Sequence, residues 1–279
     1  MRILVSILML TTFVLVSCSH NSSTYQANVN YDKQTALSIK KDLPPEFVPK
    51  EINIVSVGDS LTEGIGDSTK KGGYVPYLKE MLEMDKGIKD ANIVNYGVKG
   101  NRSDQLLKKL GTYEVKTALN KADIVIVTIG GNDVMKVVRE NFTNLHVSAF
   151  EKQKAVYEEN LLTMINNIRK ENHNSIIVLI GLYNPFNSWF ANISEFNEVI
   201  DNWNNTSKKI LAQYTDTYFV KVDDIFLEGG EQLLYTDYFH PNDKGYELIA
   251  GRVHDTLTDD VFNQPNIPAY RAENEGNVQ

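Results

Sequence analysis

The chain has 279 residues, 42% of them hydrophobic and 23% charged, a balance that excludes a disordered or low-complexity protein. Its net charge of -8 argues against a nucleic-acid partner, because phosphate recognition needs a basic face. The same charge disfavours docking on anionic lipid by electrostatics alone.

Met1-Arg2 is a short basic start, and residues 3–16 form an apolar run broken only by Ser6, Thr11 and Thr12. That run is too short for a comfortable membrane span and has the build of an export signal. Leu15-Val16-Ser17-Cys18 follows and resembles a bacterial lipobox, which implies that Cys18 is lipidated as the first mature residue. An ordinary signal peptide that happens to contain a cysteine is the alternative. Cys18 is the only cysteine, so no disulfide forms within one chain and the fold rests on its core. Residues 19–50 are polar, include Pro44-Pro45 and read as a tether, with a short helix around 33–41. Extended, ~30 residues reach roughly 100 Å. Residues 51–258 read as one folded domain, and 259–279 as a loose polar tail.

Inside the domain, short runs rich in Ile and Val lie at 52–57, 93–98, 124–129, 176–180 and 218–222. Several are continuous rather than alternating, as strands buried on both faces require. Helical spacing separates them: Phe150, Tyr157, Leu161, Ile165 and Ile168; then Phe196, Val199, Ile200, Trp203, Ile210 and Tyr214; then Tyr246, Ile249, Val253 and Leu257. Alternation of this kind predicts an α/β fold, a three-layer α/β/α sandwich with a five-stranded parallel sheet of flavodoxin-like type. In such sheets function collects at the carboxyl ends of the strands. The segments there are Gly58-Asp59-Ser60, 97–101, Gly130-Gly131-Asn132-Asp133, 181–186, and Asp223 leading on to 237–240.

Ser60 follows the first strand through Gly58, without the G-x-S-x-G pattern of a nucleophile elbow. Taken alone, a serine there reads as a helix cap. Among five histidines, His20 lies in the tether, and His146, His173 and His254 show no distinctive partner. His240 differs, with Asp237 three residues before it and Pro241, a helix starter, after it. A carboxylate so placed can orient an imidazole and stabilise its charged form. Acyl transfer also needs donors aimed at an oxyanion. The backbone N–H groups of Ser60 and Gly100 and the side-chain amide of Asn132 are candidates, although Gly130-Gly131-Asn132 alone also reads as a turn.

Together these segments resemble the SGNH (GDSL-type) hydrolase superfamily. Residues 57–64, Val-Gly-Asp-Ser-Leu-Thr-Glu-Gly, are similar to its first block, Asn95 to Asn101 to its second, Gly130 to Asp133 to its third, and Asp237 to Pro241 to its fifth. The resemblance implies Ser60 as nucleophile, His240 as base, Asp237 as acid, an oxyanion hole of Ser60, Gly100 and Asn132, and no metal or organic cofactor. It further implies an exported bacterial esterase, held on the outer side of the membrane through Cys18 and similar to lipase-like members from Gram-positive bacteria.

Rival motifs fit poorly. Gly64-Ile65-Gly66 lacks the third glycine of a dinucleotide fingerprint, and neither a phosphate loop nor an H-E-x-x-H zinc motif is present. The sequons at Asn141 and Asn192 read as chance. The loop 183–190, with Tyr183, Phe186, Trp189 and Phe190, is aromatic. It suits an acyl pocket or a sugar platform, or simply packs over the core. The expected substrate is therefore a lipid or lysophospholipid acyl ester; an O-acetylated polysaccharide is the alternative, and a non-catalytic surface binding protein a weaker one.

Overall fold

The computed structural model describes residues 49–186 and 194–262. The expected signal, Cys18, the tether through residue 48, Trp189, Phe190 and the tail beyond 262 lie outside the described residues.

The order is β1 (Lys50–Gly58), α1 (Ser60–Glu63), α2 (Tyr74–Glu83), β2 (Ile88–Gly97), α3 (Ser103–Leu110), α4 (Tyr113–Leu119) and β3 (Ile124–Thr128). Then come α5 (Gly131–Glu140), α6 (Val147–Glu171), β4 (Ile176–Ile180), α7 (Ser194–Leu211), β5 (Thr217–Val220), α8 (Asp223–Gly229) and α9 (Asp243–Thr256). The five strands are parallel in the order β2-β1-β3-β4-β5, the flavodoxin-like arrangement. The expected α/β/α sandwich is thus the observed fold.

Strand residues alternate between two cores, as the two-residue period of a strand dictates. Val55, Val57, Val125, Val127, Ile177 and Leu179 face α3 to α7, with Trp203 and Tyr157 stacked at 5.0 Å between ring centroids. Ile52, Ile54, Ile124, Ile126, Ile176 and Val178 face α2, α8 and α9. β3 and β4 are buried along their whole length, which is why they read as unbroken apolar runs.

Several boundaries differ from expectation. β2 begins at Ile88 rather than 93, because an edge strand with one open side accepts the polar Lys89, Asp90 and Asn92. β5 ends at Val220, before Val222. At the other end of the domain, a π-helical turn over Leu257–Phe262 carries on from α9 with Leu257 and Val261 fully buried, so packing continues past residue 258.

Candidate active site

The sheet order places the topological switch between β1 and β3, with β2 leaving on one side and β3 on the other. Register aligns Gly58 with Gly97 on β2 and Thr128 on β3, so three strand ends finish at one level. The approach there is close: a Cβ on Gly58 would lie 2.2 Å from Thr128 Oγ1. Only glycine fits between the two strands.

Asp59, not Ser60, caps α1, its carboxylate accepting from the Leu61 N–H at 3.1 Å. Its other ties reach across to β3: the Asp59 N–H donates to the Thr128 carbonyl at 3.2 Å, and Thr128 Oγ1 donates to Asp59 Oδ1 at 2.9 Å. Thr128 Oγ1 in turn pairs with Thr62 Oγ1 at 2.8 Å, and Thr62 with the Tyr74 hydroxyl at 3.2 Å. The Asp and Thr of Gly-Asp-Ser-Leu-Thr therefore clamp the turn that carries Ser60 to the central strand.

Asp59 is 3% exposed, and burial pushes its carboxyl from 3.8 up to about 7 against the hydrogen bonds from Leu61 and Thr128. The folded chain therefore holds this proton more tightly than the unfolded one, and stability falls as pH rises from about 4 to about 7. The loss is on the order of 4 kcal/mol once the group is fully ionised. Asp59→Asn keeps a cap acceptor and removes the buried charge. We expect its melting temperature to exceed the parent's at pH 8 and the gap to close towards pH 4; parallel curves would contradict this origin.

Ser60 is the first residue of α1 and 2% exposed. Its Oγ lies 2.9 Å from His240 Nε2, and His240 Nδ1 lies 2.6 Å from Asp237 Oδ2. Partial burial raises the Asp237 carboxyl, but hydrogen bonds from the His240 ring and from the His240 and Phe239 backbone N–H groups outweigh it and hold it below the ordinary carboxylate value. An ionised carboxylate can only accept, so Nδ1 carries the ring proton and Nε2 presents its lone pair to the hydroxyl.

The loop that carries the pair is tied down. Asp237 Oδ1 accepts from Phe239 and His240 N–H, each at 3.0 Å. Tyr235 N–H donates to the His240 carbonyl at 2.7 Å, and the Tyr183 hydroxyl to the Phe239 carbonyl at 2.6 Å. Tyr238 sits between them at φ 54, a left-handed conformation uncommon for a bulky side chain. Pro241 does not start the following helix as expected; it pairs with Leu234 in a short antiparallel bridge, and α9 begins at Asp243 behind the cap Asn242.

The segments that carry the expected oxyanion donors end at the same rim. Gly100 follows β2, with no atom within 4 Å of where a side chain would stand. Asn132 lies in the first turn of α5, and one of its amide N–H bonds donates to the Asn101 carbonyl at 3.0 Å, leaving the second for a ligand. Neighbours given no role in the sequence hold these donors. Asn95 donates to the Thr62 carbonyl at 2.5 Å, and Glu63 accepts from the Lys99 N–H. Asp133, fully buried, accepts from Ser103 N–H at 2.8 Å and Ser103 Oγ at 2.7 Å, which fixes α5 against α3. Burial pushes the Asp133 carboxyl up despite those bonds. Asn132→Ala should lower kcat by roughly 10²–10³ if its amide meets the oxyanion, and near-normal rates in the folded variant would remove it from that role. Away from the rim, His254 does have a partner, with Nε2 3.1 Å from Asp85 Oδ2, and takes no part in the site.

A cavity of about 40 Å³ opens beside Ser60, lined by Ile129, Asn132, Met135, Leu182, Pro185, Phe196 and Phe239 among others. It shares Met135 and Phe196 with a larger apolar groove of about 530 Å³ that runs past Val138, Leu145 and Phe186 to the exposed Phe142. Of the aromatic loop, Tyr183 packs over the core, stacked on Phe226 at 3.9 Å, whereas Phe186 reaches the groove and meets Phe196 edge-on at 5.5 Å.

Residues 56–248 match the GDSL-like lipase/acylhydrolase family. The chain belongs to that family. It is accordingly a carboxylic ester hydrolase of the SGNH type, which sets aside the non-catalytic alternative. Among its relatives is YpmR of Bacillus subtilis, 39% identical over 210 residues, which cover 75% of this chain and 82% of that one. The spore germination lipase LipC of Bacillus licheniformis is 26% identical over 216 residues, 72% of this chain and 94% of that protein. The crystal structure of the lipase Lip_vut3 from a goat rumen metagenome shares the fold at a TM-score of 0.65 and 23% identity, covering 72% of this chain and 95% of that one.

Proposed function

We propose that this GDSL-family hydrolase cleaves acyl esters of lipids or lysophospholipid-like molecules through an acyl-enzyme on Ser60. The observation that carries the reading is the apolar cavity beside Ser60 and the larger apolar groove that shares Met135 and Phe196 with it. An acetyl group needs no such length. Similarity to a protein named as a lipase points the same way.

In this reading His240 Nε2 takes the Ser60 proton as Oγ bonds to the ester carbonyl carbon. The carbonyl electron pair moves onto oxygen, which the N–H groups of Ser60 and Gly100 and the Asn132 amide stabilise. Asp237 stabilises the imidazolium. The intermediate then expels the alcohol, protonated by His240. Water, deprotonated by the same imidazole, attacks the acyl-enzyme and releases the acid, and Ser60 regains its proton. The proposal includes export and a lipid anchor on Cys18. Detergent-phase partitioning that persists in a Cys18→Ala variant would remove the anchor from it.

The deciding experiment is a p-nitrophenyl ester series from acetate to palmitate, with Ser60→Ala as the blank. A buried methylene contributes about 0.8 kcal/mol, so kcat/KM should rise several-fold per carbon until the groove is filled. A sharp maximum at acetate would overturn the lipid reading in favour of a polysaccharide deacetylase.

A further inference from the structure

The segment between α1 and α2 has no place in the chemistry above, yet it is built around a buried charge. Asp67 is 6% exposed, and its carboxylate accepts five hydrogen bonds. Oδ1 takes the Thr69 N–H at 2.8 Å and the Thr69 hydroxyl at 2.7 Å. Oδ2 takes the N–H groups of Lys71 at 3.0 Å and of Gly72 and Gly73 at 3.1 Å each. Burial raises this carboxyl, but the bonds from Thr69, Gly73 and Lys71 outweigh it and keep it below its ordinary value. It is thus ionised at neutral pH, and an amide, with one acceptor atom and one donor, could not serve both the Thr69 side and the three N–H groups of 71–73.

The segment so folded touches the base loop and the first turns of α9 at three places. Gly66, at φ 97, lies against it so closely that a Cβ would come 2.3 Å from the Pro241 carbonyl and 3.3 Å from His240 Cβ. The Ser68 N–H and hydroxyl donate to Asp243, at 2.7 and 2.5 Å. The hydroxyl of Tyr246, fully buried in α9, donates to the Ile65 carbonyl at 2.6 Å. Residues 240, 241, 243 and 246 are therefore held from one side by a segment whose other end is the helix bearing Ser60.

We propose that residues 64–73, folded on the Asp67 carboxylate, are the strut that sets the separation of Ser60 and His240, and that Asp67 is a positioning residue for the reaction. The inference rests on the reading that Ser60 and His240 do the chemistry. No residue of the strut lines the cavity or the groove, so its loosening shows in kcat and not in KM. Misplacement by about 1 Å costs up to about 10²-fold in rate.

The test is Asp67→Asn, assayed below its melting temperature on a p-nitrophenyl ester and with a fluorophosphonate. The comparison variant is Leu82→Ala, which destabilises the core beneath α2 from a residue outside the site. We expect kcat and the labelling rate to fall together, 10- to 100-fold, with KM within twofold, while Leu82→Ala keeps both rates. If Asp67→Asn does not fold, the double variant Ser68→Ala/Tyr246→Phe removes two of the ties and should lower kcat several-fold at unchanged KM. Full kcat in a folded Asp67→Asn, or in that double variant, overturns the strut. Ser60→Ala separates the two claims: if it is inactive and Asp67→Asn is not, the catalytic assignment stands and only the strut falls.

Discussion

Ser60→Ala should lose about 10⁶ in kcat while folding as the parent does, because nucleophile and base act as a unit and neither works without the other. The side chain is 2% exposed and its hydroxyl pairs with His240 Nε2 at 2.9 Å, so the change removes one oxygen and one hydrogen bond from a site that keeps its shape. The melting temperature should move by no more than a few degrees. His240→Ala should match it in rate, and combining the two should add almost nothing. Initial rates on a p-nitrophenyl ester, with fluorophosphonate labelling beside them, decide the matter. A folded Ser60→Ala protein that retains one part in a hundred of the activity, or is still labelled, would assign the nucleophile elsewhere.

Asp237→Asn should cost about 10⁴ in kcat for a different reason. The substituted side chain keeps its Oδ1 acceptor for the Phe239 and His240 N–H groups, so the loop is retained. What faces Nδ1 becomes an NH₂. The ring must then accept at Nδ1 and carry its proton on Nε2, which leaves no lone pair for the Ser60 hydroxyl 2.9 Å away. KM should change little, since the carboxylate does not line the cavity. A folded variant within tenfold of the parent rate would show that the ring finds its tautomer without Asp237.

Sequence reading reached the sheet and the rim because both leave local marks. Strands buried on two faces are unbroken apolar runs, and the ends of β1, β2 and β3 carry the glycines that close approach demands. The helices of 25 and 18 residues were legible from their period. The helices from α2 to α5 were not, since 7 to 10 residues give too few turns to fix a period, and Pro76 in the first turn of α2 disguises its start. Asp59 and Asp133 took their meaning from partners 69 and 30 residues away, which no spacing rule reveals. Asp67 is another matter: every partner of its carboxylate lies within six residues, and an aspartate with Thr69 two places on and Gly72-Gly73 closing the turn is a local signal that could have been read.

The hydroxyl at 60 and the imaginary line to its base span 180 residues of chain. On the proposed mechanism, a polypeptide emerging from its N-terminus carries Ser60, Gly100, Asn132 and all five strands before His240, and gains hydrolytic power only when the segment around 240 docks. Ester turnover during refolding then reports the docking of that segment on the rim, not the formation of the sheet alone.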